Sequence, residues 1–185
     1  MSEVIGKASP LLKARLAGAF YLLSILTGMA GEILLKGNLA LAANLAGTGC
    51  YVVVTLILFD LLRPVNKGLS SLAAIFSLAG CTISILDLLH LPTPNVNMLV
   101  FFGVYCLLLA YLIFKSTFLP HFLSVLLTIT GLGWLTFLSP SLGEHLFRPY
   151  LMIGGLAGEG GLTLWLLAFG VNGQRWNEQS RLARA

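Results

Sequence analysis

Six long apolar runs, with proline confined to their ends, occupy most of this 185-residue chain. They extend approximately over Lys13–Leu35, Leu39–Leu62, Leu69–Leu91, Met98–Phe114, Phe118–Leu138 and Pro149–Val171. Each is near the roughly 20 residues that span the hydrocarbon core of a bilayer. The seven prolines (10, 64, 92, 94, 120, 140 and 149) fall at or beyond the ends of these runs. Proline breaks a helix's hydrogen-bond ladder and lipid offers no replacement partner, so their placement marks the same boundaries independently. The predicted fold is all-α, a polytopic bundle of six transmembrane helices.

Only 10% of the residues are charged and the mean hydropathy is +0.92. A soluble domain carries roughly 25% charged residues, so this chain lacks the polar surface to be one. A single membrane domain is expected over residues 13–171. A short segment, 1–12, precedes it, and a polar tail, 172–185, follows, frayed or lying on the surface. The first run lies behind Lys7, Lys13 and Arg15 but outlasts a signal-peptide core, and reads as a retained helix.

The eleven Lys and Arg set the orientation. Alternating crossings put Lys7, Lys13, Arg15, Arg63, Lys67, Lys115, Arg175, Arg181 and Arg184 on one side, leaving Lys36 and Arg148 on the other. The positive-inside rule places both termini in the cytoplasm and the chain, multi-pass, in the inner (cytoplasmic) membrane. The basic residues are topology signals, not a nucleic-acid patch; membrane lipids are the expected surroundings. Cys50, Cys81 and Cys106 all lie within apolar runs, without CxxC spacing, and read as small buried hydrophobes.

Polar residues inside the runs recur at helical spacing. Asn44, Thr48, Tyr51 and Thr55 form one stripe in the second run, and Ser77, Gly80, Ser84 and Asp87 another in the third. Ser124, Thr128 and Gly131 form a shorter one in the fifth. Such stripes face the bundle interior or a wet cavity. Glu159 lies ten residues past Pro149, roughly 15 Å down the sixth helix and near mid-bilayer. Burying a charge there is costly and desolvation favours the neutral acid, so Glu159 is read as a proton or hydrogen-bond donor, or as a helix-packing residue. Glu32, Asp87, His90, Tyr105 and Trp134 fall in the outer half of their runs, and Glu144 and His145 in the last outer loop. An outward-facing acidic pocket with Glu159 near its floor is inferred. Asp87 and His90, three apart, could share a metal, but no HExxH accompanies them, so no metal site is assigned; the residues name no cofactor. Asp60 and Arg63, also three apart, are expected to pair. The five glycines between Gly154 and Gly161 predict close packing of the sixth helix.

Four stretches carry a resemblance. Ala14–Gly28, Leu61–Leu69, Tyr111–Pro120 continuing to Gly131–Trp134, and the Gly-Glu-Gly-Gly of Gly158–Gly161 together resemble the bacterial domain-of-unknown-function 4386 family. The resemblance spans about Ala14 to Gly170 and implies a small polytopic membrane protein, without implying an activity.

The leading functional expectation is a pocket for a lipophilic small molecule. Acid–base catalysis, such as isoprenoid cyclisation or isomerisation, would use Glu159 with Asp87 or Glu32, and Tyr105, Trp134 and Trp165 as aromatic walls. The alternatives are a small proton-coupled transporter, and a non-enzymatic subunit or assembly factor within a homo-oligomer or larger membrane complex.

Overall fold

The computed structural model describes residues 9–146 and 152–183. Lys7, Arg148, Pro149 and Arg184 lie outside the described residues. The described residues form helices without strands: α1 (Pro10–Ile33), α2 (Gly37–Leu62), α3 (Lys67–Leu88), α4 (Met98–Lys115), α5 (Phe122–Leu135), a 3-10 turn (Thr136–Leu138), α6 (Pro140–Leu146), α7 (Met152–Ala168) and α8 (Gly173–Leu182). α1 to α4 are each long and apolar enough to cross a membrane. α7 qualifies together with α8, at 105° to it, and Phe122–Leu138 is apolar but shorter. The chain is a multi-pass membrane protein.

Local chemistry explains the boundaries. Pro10 occupies the first turn of α1, where its missing N–H is no loss, and the Ser9 hydroxyl accepts the Leu12 N–H. Asn66, Asn97 and Asn172 cap α3, α4 and α8 in the same way. α5 begins at Phe122, later than the apolar run, because Pro120 holds the chain off the helix. Phe118 and Leu119 are buried in the preceding turn instead.

Successive long helices pack on one another, and α7 closes a ring by contacting both α5 and α1. The ring is apolar outside and largely apolar inside, where Leu58, Leu109, Leu123 and Leu166 are buried, with hydroxyls set into that core. Leu26, Leu56, Ile75, Val125, Ile129 and Leu164 are exposed, whereas Thr55, Ser70, Ser77, Thr130 and Thr163 are buried. An apolar exterior with its hydroxyls turned inward is expected where lipid is the solvent. Interhelical hydrogen bonds join the seams. The Ser24 hydroxyl donates to the Gly47 carbonyl (2.8 Å), the Thr55 and Ser77 hydroxyls hydrogen-bond to each other (2.6 Å), Ser70 donates to the Phe59 carbonyl (2.9 Å) and Thr130 to the Gly154 carbonyl (2.8 Å). Glycines allow the close approach. Gly155 and Gly158 of α7 face Trp134 and Thr130 of α5, and Gly18 of α1 faces Leu167.

Two expectations are corrected here, and of the two readings of the tail the surface-lying one holds. Asp60 pairs with Lys13 at 2.6 Å, not with Arg63; the long side chain from α1 reaches it across the α1–α2 seam. Thr128 is exposed, its hydroxyl donating to the Ser124 carbonyl of its own helix, and Thr130 supplies the inward hydroxyl of α5. The tail is not frayed over its described part. The Trp176 indole donates to the Leu61 carbonyl (2.8 Å), Gln179 accepts from the Thr117 amide and hydroxyl (both 3.1 Å), and Arg175 donates to the Thr117 carbonyl (3.3 Å). These bonds lay α8 across the end of the bundle.

Candidate functional site

A cavity of about 600 Å³ runs from the bundle end where α1 meets α2 and α3 meets α4 down to mid-height. Glu32 and Asn44 line it near that end from α1 and α2, with Asp87 and His90 from α3 and the turn after it. Deeper down it is lined by Thr48, Tyr51, Ser84, Trp134 and Glu159. The Asn44 amide donates to the Glu32 carboxylate at 3.3 Å. Thus the polar stripes of α2 and α3 both face this space, as their helical phase requires. Thr55 and Ser77, one turn further along the same stripes, close it from below by bonding to each other.

Glu159 is near the middle of α7, one turn beyond Gly155 and on the same face. Cys106 of α4 donates its S–H to Glu159 Oε1 at 3.6 Å, and Trp134, Tyr21 and Tyr51 direct polar groups at the same carboxyl. The Tyr21 and Tyr51 hydroxyls lie 3.4 Å apart. Tyr51 is the hub of an aromatic cluster, with ring centroids 5.3 Å from Tyr21, 5.1 Å from Phe102 and 6.2 Å from Tyr105, all edge-on. Helices α1, α2, α4 and α5 therefore each contribute a side chain around the one carboxyl that α7 carries. Tyr105 stacks in this cluster without lining the cavity. Its buried hydroxyl points toward the Thr55–Ser77 pair without completing a hydrogen bond of standard geometry.

A second, smaller hollow of about 160 Å³ touches the other side of Glu159 and Trp134. Ile25, Met29, Gly155 and Leu156 complete it, and Met29 and Leu156 are exposed on the outer surface of the ring. Glu159 and Trp134 thus stand between the central cavity and a lipid-facing groove at the α1–α7 seam.

Some expected residues lie elsewhere. Trp165 packs on Phe169 (4.4 Å) and Phe122 (5.4 Å), facing away from the cavity because six residues leave it about 120° out of phase with Glu159. Glu144 and His145 are exposed on α6 and do not line the cavity. No three His, Cys, Asp or Glu side chains converge into a metal-binding group among the described residues. Tyr21, Phe102 and Cys106 escaped the sequence reading, since an aromatic or thiol inside an apolar run carries no contrast against its neighbours.

His90 is the one non-glycine residue at positive φ (55°) among the described residues. The Leu91 amide donates to the Leu86 carbonyl (2.9 Å) and the His90 amide to the Asp87 carbonyl (3.0 Å), the paired bonds that end a helix on a left-handed residue. Glycine normally fills that position, and a side chain there costs about 1 kcal/mol or more. His90→Gly should therefore raise stability in detergent by about 1 kcal/mol. A lower melting point would show that the imidazole makes contacts that outweigh its backbone strain.

The sequence signature of the family described as "Domain of unknown function (DUF4386)" matches residues 95–170. A protein of Archaeoglobus fulgidus, described as uncharacterized, is 31% identical over 125 residues, which cover 56% of this chain and 76% of that one. This chain belongs to the DUF4386 family. The matched stretch holds α4, α5 and α7, and with them Phe102, Tyr105, Cys106, Trp134 and Glu159. Glu32, Asn44, Asp87 and His90 precede it, as do the first two stretches on which the family resemblance was read. No solved structure matches the chain.

Proposed function

We propose that this DUF4386 protein holds a lipophilic small molecule in its central cavity, with Glu159 as the acid–base group at the molecule's inner end. One observation carries the reading. Four helices converge on the mid-bundle carboxyl of α7 that borders an open cavity, and they surround it with hydrogen-bonding aromatic and thiol side chains. A carboxyl that only joined two helices would need one partner, not a cavity. Glu32 and Asp87, nearer the cavity's end, supply the complementary proton acceptors. A lipophile would reach them from the bilayer, which suits a protein of this apolarity.

In this reading the chain crosses the inner membrane six times, the shorter α5 and α7 included, with both termini cytoplasmic. The Lys13, Arg63, Lys67, Lys115 and Arg175 end of the bundle then faces the cytoplasm and the cavity faces outward. Residues 13–171 make up the membrane domain, and α8 lies along its cytoplasmic surface. Proton-coupled transport would use the same carboxyl.

Native mass spectrometry of protein extracted in mild detergent tests the proposal. Wild type should release a specific lipophile, and Glu159→Gln should fold equally well yet release roughly fivefold less, since a hydrogen bond from a buried carboxyl contributes about 1 kcal/mol. A wild-type chain carrying only bulk phospholipid sinks the reading. It would favour the second one, a subunit of a homo-oligomer or larger complex, for which α7 offers a surface. A Cβ added at Gly154 or Gly160 would meet nothing within 4 Å, and Ala157 between them is exposed.

A further inference from the structure

The charge balance of the cavity narrows what it can hold. Three carboxylic acids line it, Glu32, Asp87 and Glu159, while His90 is its only nitrogen base and no Lys or Arg lines it among the described residues. The single ion pair among the described residues, Lys13–Asp60, is at the opposite end of the bundle. Glu159 is therefore hydrogen-bonded but has no cationic partner, deep in a low-dielectric bundle where an uncompensated carboxylate is costly. The carboxyl shares its surroundings with Tyr51, Phe102 and Trp134, whose rings also line the cavity. Aromatic faces and carboxylates together attract cations, most strongly where water is excluded. The remaining lining, including Leu41, Leu88, Met98 and Leu99, is apolar.

We propose that the lipophile is a cation: an amine or quaternary ammonium whose head lies between Glu159 and the Tyr51–Phe102 rings, with its apolar body toward Leu41, Leu99 and Met98. Glu32 and Asp87 give the approach the same sign of potential. An anionic lipophile meets three acids with no lysine or arginine to receive it, and a neutral one leaves the aromatic faces unused. This inference rests on the central cavity being a ligand site, and it names the ligand's charge.

Three probes with the same tail and different heads decide it: decyltrimethylammonium, decanol and decyl sulfate. Each is titrated by equilibrium dialysis against the protein in phosphatidylcholine nanodiscs, with empty nanodiscs subtracted. The ammonium should bind saturably, at least about tenfold tighter than either other probe. Glu159→Gln should weaken it at least about tenfold, and Asp87→Asn, nearer the cavity's end, by a smaller factor. Asp87→Asn carries the charge test alone if Glu159→Gln fails to fold. Equal binding of all three heads, abolished by filling the cavity with Asn44→Trp, overturns the charge assignment and leaves the ligand site standing. Tighter binding of decyl sulfate overturns it likewise. Absence of saturable binding by any probe ends both the charge assignment and the ligand site.

Discussion

Gly158→Ala is expected to destabilise the protein by about 1–3 kcal/mol, and Gly158→Leu to prevent α7 from closing the ring. A Cβ at this position would meet the Thr130 hydroxyl and lie 2.9 Å from the Leu126 carbonyl oxygen. The second contact is with backbone, which cannot rotate away. Thr130 could turn, but its hydroxyl donates to the Gly154 carbonyl, so turning breaks the bond that ties α5 to α7. Gly160 is the matched control, because nothing lies within 4 Å of a Cβ there. Gly160→Ala should be neutral or stabilising by up to about 1 kcal/mol, the difference in helix propensity. Thermal unfolding in one detergent compares the two, and equal melting points would remove the close-approach argument. Because Glu159 neighbours Gly158, a shift of α7 also moves the carboxyl, so Gly158→Ala should lose the bound lipophile as well.

How far the sequence carried the fold depended on where apolarity had contrast. The long apolar runs correspond to α1 to α5 and α7 within a few residues, because lipid forces each span to satisfy its own backbone. The ends of α3 and α5 were harder. α3 stops on His90, a residue type that carries no strong stop signal, and Phe118 and Leu119 are apolar without being helical. The Asp60–Arg63 expectation relied on local spacing, while the actual partner, Lys13, is 47 residues away and reachable only once α1 and α2 are side by side. In the tail, Trp176 among polar residues was the available signal for docking. An indole there needs both an apolar seat and an acceptor, and the Leu61 carbonyl is that acceptor.

The candidate site was legible in one half and hidden in the other. Asn44, Thr48, Ser84 and Asp87 could be placed in one space because polar residues at three- and four-residue steps have a computable face. Glu159 stood out as an acid with no basic residue at its depth. Tyr21 and Phe102 could not be placed, since in a membrane helix an aromatic is as much at home facing lipid as facing the core, and Cys106, read as a small buried residue and buried, gave no sign of its partner. Only the ring order of the helices, with α7 between α5 and α1, brings them to the carboxyl. That order is a tertiary fact with no periodicity of its own.

Asp60→Ala is expected to destabilise the protein by about 3 kcal/mol, because it strands the Lys13 ammonium. Lys13 is 5% exposed, whereas the Asp60 side chain is 34% exposed, so the loss should fall toward the lower end of the roughly 3–5 kcal/mol found for broken buried pairs. The double variant Lys13→Met, Asp60→Leu removes both charges and keeps the bulk, and should recover most of that stability or exceed wild type. The pair also sets the register of α1 against α2. Tyr21 is eight residues along α1 from Lys13 and Tyr51 nine before Asp60 on α2, about 12–14 Å from the pair in each case, which is where their hydroxyls meet beside Glu159. If the pair acts only through stability, the double variant should bind decyltrimethylammonium as wild type does. Restored stability with weakened binding would instead show that the ion pair holds the two tyrosines in place, and that the cavity's inner end is positioned from the opposite end of the bundle.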